Sequence, residues 1–208
     1  MTVTLYAATT NPGKLRDFSV AAADAGFLVE SAPRLRAIPA PEEKELTFAG
    51  NARLKAQYYS RLLPGFILAD DSGLEVDALG GEPGVRSARY ADDAGFHPKG
   101  SGPTLSTDER NNLYLLSRML GVTDRRARYR CVLAVACEGE LLLTGEGTVS
   151  GEILAAPRGA GGFGYDPLFN IPQLLLTMAE ISLEQKHTLS HRGRAFRALL
   201  PGLKKLSG

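Results

Sequence analysis

The stretch Ala69-Asp70-Asp71-Ser72-Gly73-Leu74-Glu75-Val76-Asp77 crowds four carboxylates into eight residues, and two arginines, Arg86 and Arg89, follow shortly after. It succeeds the apolar run Phe66-Ile67-Leu68, whose pattern predicts a short buried strand, so Asp70 and Asp71 are expected where that strand ends. A solvated acidic loop would look similar. Position favours chemistry, because open α/β sheets present ligand groups at the carboxyl ends of their strands. A second segment, Thr9-Thr10-Asn11-Pro12-Gly13-Lys14, combines hydroxyls with backbone N–H groups at a helix start, a place suited to phosphate. It is not a P-loop, since Ala8 and Leu15 stand where glycine and a hydroxyl residue are required. A generic turn would use the same residues. Lys14 at a helix start, where the dipole disfavours cations, favours an anionic ligand.

Further chemistry lies in three places. A helix starting near Thr47 and ended by Pro64-Gly65 puts Phe48, Ala52, Tyr59, Leu62 and Leu63 on its apolar face, with Arg53, Gln57, Ser60 and Arg61 opposite. Asn51 and Lys55 fall on the apolar side, where an amide and an ammonium are costly unless something anionic pairs with them. Asp70 or Asp71 would serve. In Gly159-Ala160-Gly161-Gly162-Phe163-Gly164-Tyr165-Asp166-Pro167-Leu168-Phe169, glycines beside aromatics let backbone approach a flat ligand, although a glycine-rich hairpin loop is the alternative. Ser190 is placed to N-cap a helix that begins His191-Arg192-Gly193 and buries Ala195, Phe196, Leu199 and Leu200, with Lys186 just upstream.

The elements that position these groups read as α/β. Val3 to Ala8 is a strand, Leu15 to Ala25 a helix with Leu15, Phe18, Ala22 and Ala25 inward, and Phe27 to Val29 a second strand, an opening that implies parallel pairing. Arg34 to Glu45, with Glu42-Glu43-Lys44-Glu45, is a loop. Asp92 to Ser106 is a mobile glycine- and proline-rich loop, and Thr107 to Leu120 is a helix capped by Thr107, with Leu113, Leu116 and Leu120 as core. Arg130 to Ala136 and Glu140 to Thr144 form a hairpin about Glu138-Gly139, and Thr148 to Leu154 continues the sheet. Cys131 and Cys137 share a strand face and read as core thiols.

Composition narrows the partners. Of 208 residues, 44% are apolar and 23% charged, as in folded soluble domains, and 24 basic against 23 acidic side chains give no field that would draw the chain to nucleic acid or an anionic membrane. No run approaches the roughly 18 apolar residues of a membrane span, and no leader-like segment opens the chain, so a cytoplasmic protein is expected. Donors suited to phosphate (Thr10, Asn11, Lys14), the Asn51–Lys55 pair and the hard oxygen ligands Glu43, Asp70 and Asp71 together describe a site for a nucleotide polyphosphate with Mg²⁺.

Thr9 to Lys14, Thr47-Phe48 with Asn51 and Lys55, Ala69 to Leu74, Pro83 to Tyr90, Gly162 to Pro167 and Ser190 to Gly193 resemble, in order, the motifs of the inosine triphosphate pyrophosphatase (Ham1-like) family. The resemblance implies a single domain over 1–208, an elongated mixed β-sheet flanked by helices, two lobes with the site in a central cleft, and a homodimer. The implied reaction is Mg²⁺-dependent hydrolysis of ITP, dITP or XTP, a small-molecule nucleoside triphosphate, to the monophosphate and pyrophosphate. Glu43 and Asp71 would hold the metal, with Asp70 beside them. Asp71 would also be the general base, assisted by Lys55 and Asn51. Thr9, Thr10, Asn11, Pro12, Gly13, Lys14, Ser72, Phe163, Gly164, Tyr165, Asp166, Lys186, His191 and Arg192 match substrate-binding positions, and Arg192 near the base would suit the O6 acceptor of hypoxanthine. Two departures stand out: Gly50, where many relatives carry glutamate, and a long 92–106 loop. A Maf-type pyrophosphatase for modified or pyrimidine nucleotides is the nearest rival, opposed by Ser190-His191-Arg192. A non-catalytic nucleotide sensor is the other, opposed by the intact Asp70 and Asp71.

Overall fold

The fold is built on strand β3, Phe66–Val76, and a ladder that sets which way each of its side chains points. The computed structural model describes residues 3–23, 25–98 and 105–206. In chain order the elements are β1 (Thr4–Ala7), α1 (Pro12–Ala23), β2 (Leu28–Ser31), α2 (Phe48–Ser60), β3, α3 (Tyr90–Asp93), α4 (Thr107–Arg118), β4 (Arg126–Cys137), β5 (Glu140–Ile153), β6 (Phe169–Ile171), β7 (Leu176–Thr177), α5 (Leu183–Leu189) and α6 (His191–Leu206). Among the described residues seven strands form one mixed sheet in the order β2-β1-β3-β4-β5-β6-β7. β1 runs parallel to β2 and to β3, pairing Tyr6 with Ile67 and Ala7 with Leu68, whereas β6 is antiparallel to β5 and β7. The chain divides into two compact units, residues 1–71, 130–148 and 187–208 in one and 72–129 and 149–186 in the other.

In the first unit, successive β3 side chains enter different cores, as strand geometry requires. Leu68 packs with Leu5, Ala7, Phe18 of α1, Phe196 and Leu199 of α6 and the free thiol Cys131, whose pKa burial pushes up. Ile67 packs instead with Tyr59, Leu63, Ala32 and Leu35. α6 lies directly on β5, because Gly145 and Gly147 lack side chains. A Cβ on Gly147 would collide with backbone atoms of His191 and Ala195. The core of the second unit joins Leu74, Val76, Tyr90, Leu115, Met119, Tyr129, Phe169 and Met178.

Several boundaries differ from the expectations. α1 begins at Pro12, not Leu15, since proline suits a first helical position and the Asn11 side chain caps the N–H groups of Gly13 (2.8 Å) and Lys14 (3.1 Å). Ser106 rather than Thr107 caps α4, in a reciprocal capping box with Glu109. Leu113 (39% exposed) and Leu120 (80%) are surface residues, Leu116 is partly buried, and the stripe that packs is Asn111, Leu115 and Met119. The run Leu113-Tyr114-Leu115-Leu116 fits several helical stripes, and packing of Met119 chooses among them. Leu62 lies past the end of α2 and is exposed, while Ser60 is buried and accepts the Gly139 N–H at 2.9 Å. β5 is continuous over residues that were expected as two strands, because the glycines that suggest a break are those on which α6 packs. Of the 92–106 loop, Asp92 and Asp93 belong to α3, Asp92 is held by Arg110 at 3.0 Å, and residues 99–104 lie outside the described residues. Among the described residues no helix is long and apolar enough to cross a membrane.

Candidate active site

β3 does not end before its acidic pair. It continues through Asp70 and Asp71 to Val76, and both carboxylates are buried inside the strand, which corrects their expected place at its end. The strand tolerates them because each is compensated on its own face. Asp70 follows Leu68 toward α1, where Lys14 Nζ lies 2.8 Å from its Oδ2. Asp71 follows Ile67 toward α2, where Lys55 Nζ lies 3.2 Å from Oδ1 and Asn51 Nδ2 lies 3.1 Å from Oδ2.

Their acidities diverge accordingly. Burial opposes ionisation of Asp70, but Lys14, Lys55 and Arg192 outweigh it and hold the group at about 2. Burial also pushes Asp71 up. There Lys55 and the Asn51 amide pull back, Glu43 and Asp70 repel, and the net shift is upward. Burial would lower the pKa of Lys55, yet Asp71, Asp70 and Glu43 overcome it, so the ammonium keeps its proton.

Asn51 and Lys55 do sit on a buried face, and each joins two segments. The fully buried Asn51 accepts the Glu45 N–H at 3.1 Å and donates to the Glu45 carbonyl at 3.2 Å as well as to Asp71. Lys55 bridges Asp71 and Glu43, both at 3.2 Å. Glu43 and Asp71 therefore flank one ammonium, while Asp70 points to the other face with Lys14. The expected metal trio is not brought together, and among the described residues no three His, Cys, Asp or Glu side chains form a metal-binding group. Glu43 and Asp71 alone fit Mg²⁺, which takes one or two carboxylates and completes its shell with substrate oxygens and water. Over Gly50, the Glu45 side chain folds so closely that its Oε2 lies 2.8 Å from where a Cβ would be.

The hydroxyl-rich segment is half loop and half helix. Thr9 Oγ1 accepts the Asn11 N–H at 3.2 Å, and Pro12, Gly13 and Lys14 form the first turn of α1. Thr9, Thr10, Asn11 and Pro12 line a cavity of about 390 Å³ with Arg34 and Arg36. His191 and Arg192 are buried at the start of α6, where Ser190 Oγ caps the Gly193 N–H at 3.1 Å. Arg192, expected near a base, pairs with Asp17 of α1 at 3.3 Å and acts on Asp70.

In the second unit, Ser72 is a half-buried residue of β3. Asp166 is buried and accepts from Lys186 Nζ at 2.5 Å, the Phe163 N–H at 3.0 Å and the Tyr129 hydroxyl at 3.1 Å. Lys186 Nζ also stands 5.3 Å from the centroid of the Phe163 ring. The Tyr165 ring is buried and its hydroxyl donates to the Ser87 carbonyl at 2.9 Å. The Gly164 peptide groups are engaged by Asp108 and Asn112, which the sequence reading passed over. Their one-turn spacing was the available signal. Glu75 and Asp77 pair with Arg128 at 2.6 and 3.5 Å. Asp77 and Arg128 are both well exposed, so Asp77→Asn should change unfolding free energy by less than about 1 kcal/mol in a urea titration.

Sheet and site together define an α/β protein whose central strand carries buried, lysine-paired carboxylates beside a hydroxyl-rich helix start. The model of the Ham1 family matches residues 5–202, and the chain belongs to that family. It is 59% identical over 204 residues to a dITP/XTP pyrophosphatase of Acidobacterium capsulatum, an alignment covering 98% of this chain and 99% of that one. To a dITP/XTP pyrophosphatase of Thermus thermophilus it is 47% identical, covering 95% and 90%. Among solved structures, the Ham1 protein of Staphylococcus aureus superposes with a TM-score of 0.79 at 41% identity, covering 98% of this chain and 99% of that one. A HAM1 protein of Coxiella burnetii gives 0.80 at 32% identity, covering 98% and 100%.

Proposed function

We propose that this chain is a nucleoside triphosphate pyrophosphatase that hydrolyses non-canonical purine nucleotides, ITP, dITP and XTP, to the monophosphate and pyrophosphate. Relatives named dITP/XTP pyrophosphatase match it over nearly their whole length. The observation that carries the chemistry is the convergence of Asn51 and Lys55 on Asp71, with Glu43 on the same Lys55 ammonium.

Asp71 receives one hydrogen bond on each oxygen, which leaves a lone pair on each to orient a water and accept its proton. Its raised pKa, set first by burial, makes it a stronger base than an ordinary carboxylate. As the water adds to phosphorus, the bond to the bridging oxygen breaks and negative charge collects on the departing pyrophosphate. Lys55 and Lys14 supply positive charge to offset it. Glu43 and Asp71 would hold Mg²⁺, which when bound polarises phosphoryl oxygens and neutralises charge. Asn51 keeps the Asp71 carboxylate turned, since its own amide is locked by Glu45. In the second unit Lys186, a donor only, suits the O6 acceptor of hypoxanthine or xanthine and opposes the amino group of adenine. The same reading takes the enzyme as a cytoplasmic homodimer, supported by the family resemblance.

Pyrophosphate release from ITP, XTP, ATP, GTP and dTTP, with and without Mg²⁺, tests this. Fast turnover of ITP and XTP that requires Mg²⁺, with little from the other three, is expected. Equal turnover of all five would overturn the specificity, dTTP as the best substrate would favour the Maf-type reading, and ITP binding without turnover would favour the sensor.

A further inference from the structure

Phe163 lies between two glycines in the left-handed region, Gly162 (φ 76°) and Gly164 (φ 64°), in backbone with the widest conformational freedom available. A ring on such a segment offers a defined surface only if something outside the segment fixes it. Asp166 does so from one side, by accepting the Phe163 N–H. Gly164 is fixed from α4: its N–H donates to Asp108 Oδ2 at 2.7 Å, and its carbonyl accepts from Asn112 Nδ2 at 3.0 Å. Asp108 and Asn112 are one helical turn apart, so both reach the same residue from one face. The capping box at Ser106 and Glu109 fixes the first turn of α4 and with it the direction of Asp108. No heavy atom lies within 4 Å of a Cβ built on Gly164, so glycine serves conformation there and the hold on this residue comes from α4.

We propose that Asp108 and Asn112 are positioning residues for purine binding, clamping both polar groups of Gly164 so that the Phe163 ring stays in place beside Lys186. The inference rests on the reading that the Phe163–Asp166 segment receives the base. Asp108 is exposed, so its loss removes little packing and should act on substrate affinity more than on folding.

Asp108→Ala and Asn112→Ala should each raise KM for ITP about tenfold, the scale of one lost hydrogen bond to a charged or well-ordered group, with kcat within about twofold. The inhibition constant of inorganic tripolyphosphate, which has no base, should not move. Asp108→Asn should restore a KM near the starting value, because its amide oxygen still accepts the Gly164 N–H. Calorimetric ITP affinities should follow the same order and test the clamp whatever the turnover. Starting-value KM and affinity in both alanine variants would overturn the proposal, as would a parallel loss of kcat, tripolyphosphate binding and thermal stability. A parent enzyme that fails to hydrolyse ITP at all would instead overturn the assigned reaction.

Discussion

Asp71→Asn is expected to lower kcat for pyrophosphate release from ITP by about a hundredfold or more, the scale of removing a positioned base. The substitution is nearly isosteric, yet its amide cannot satisfy both neighbours. Asn51 cannot turn, since Glu45 holds both ends of its amide, so it must present Nδ2 to position 71. Lys55 presents an ammonium to the other oxygen. An amide offers one oxygen to these two donors and sets its own NH₂ against the other. Circular dichroism and thermal unfolding would establish that the variant is folded, and a kcat within tenfold of the parent would remove Asp71 from the role of base. The parent should show the matching pH dependence. Because Asp71 is raised above 3.8, the acid limb of its rate profile should lie above the ordinary carboxylate value.

The two carboxylates should also pull stability in opposite directions with pH. Asp70 is depressed from 3.8 to about 2, so its contribution is complete above the unfolded value and is lost as pH falls through that interval. Asp71 is raised, so its ionisation costs stability above the folded value, and that cost is relieved as pH falls through it.

Gly147→Ala is expected to cost about 3 kcal/mol or more of unfolding free energy, measured by urea titration at neutral pH. The atoms a methyl group would meet belong to the backbone of α6, at His191 and Ala195, so no side-chain rotation can relieve the contact. Either β5 or the helix must shift, and the helix carries His191 and Arg192 at its start. KM for ITP should therefore rise along with the loss of stability. A stability change within 0.5 kcal/mol, the ordinary range for a surface substitution, would show that α6 can yield.

The opening β-α-β unit, the buried face carrying Asn51 and Lys55, and the crowding of Asp70 and Asp71 against the core were legible because each leaves a local mark: alternation, helical spacing, or charge where charge is costly. What escaped was set by contacts distant in sequence. β3 continues through its carboxylates because Lys14 and Lys55 arrive from other elements. β5 continues through its glycines because α6 lies on them. Asp108 and Asn112 look like ordinary surface residues of a polar helix until Gly164, more than fifty residues away, is brought to them. The separation of Asp70 from Asp71 is different, because it follows from strand alternation alone once the strand is known to continue.

That alternation makes the length of β3 a functional quantity. Its pairing with β1 from Phe66 to Leu68, and the bond from the Ala8 N–H to the Leu68 carbonyl at 2.8 Å, anchor the strand only two residues before Asp70. Inserting or deleting one residue between Leu68 and Asp70 would rotate both carboxylates through half a turn. Asp70 would then face Asn51 and Lys55, and Asp71 would face Lys14. Composition, charge and hydrophobicity would be almost unchanged, yet base and counter-ion would have exchanged places. This family should therefore tolerate sequence change in this strand far more readily than any change in its residue count.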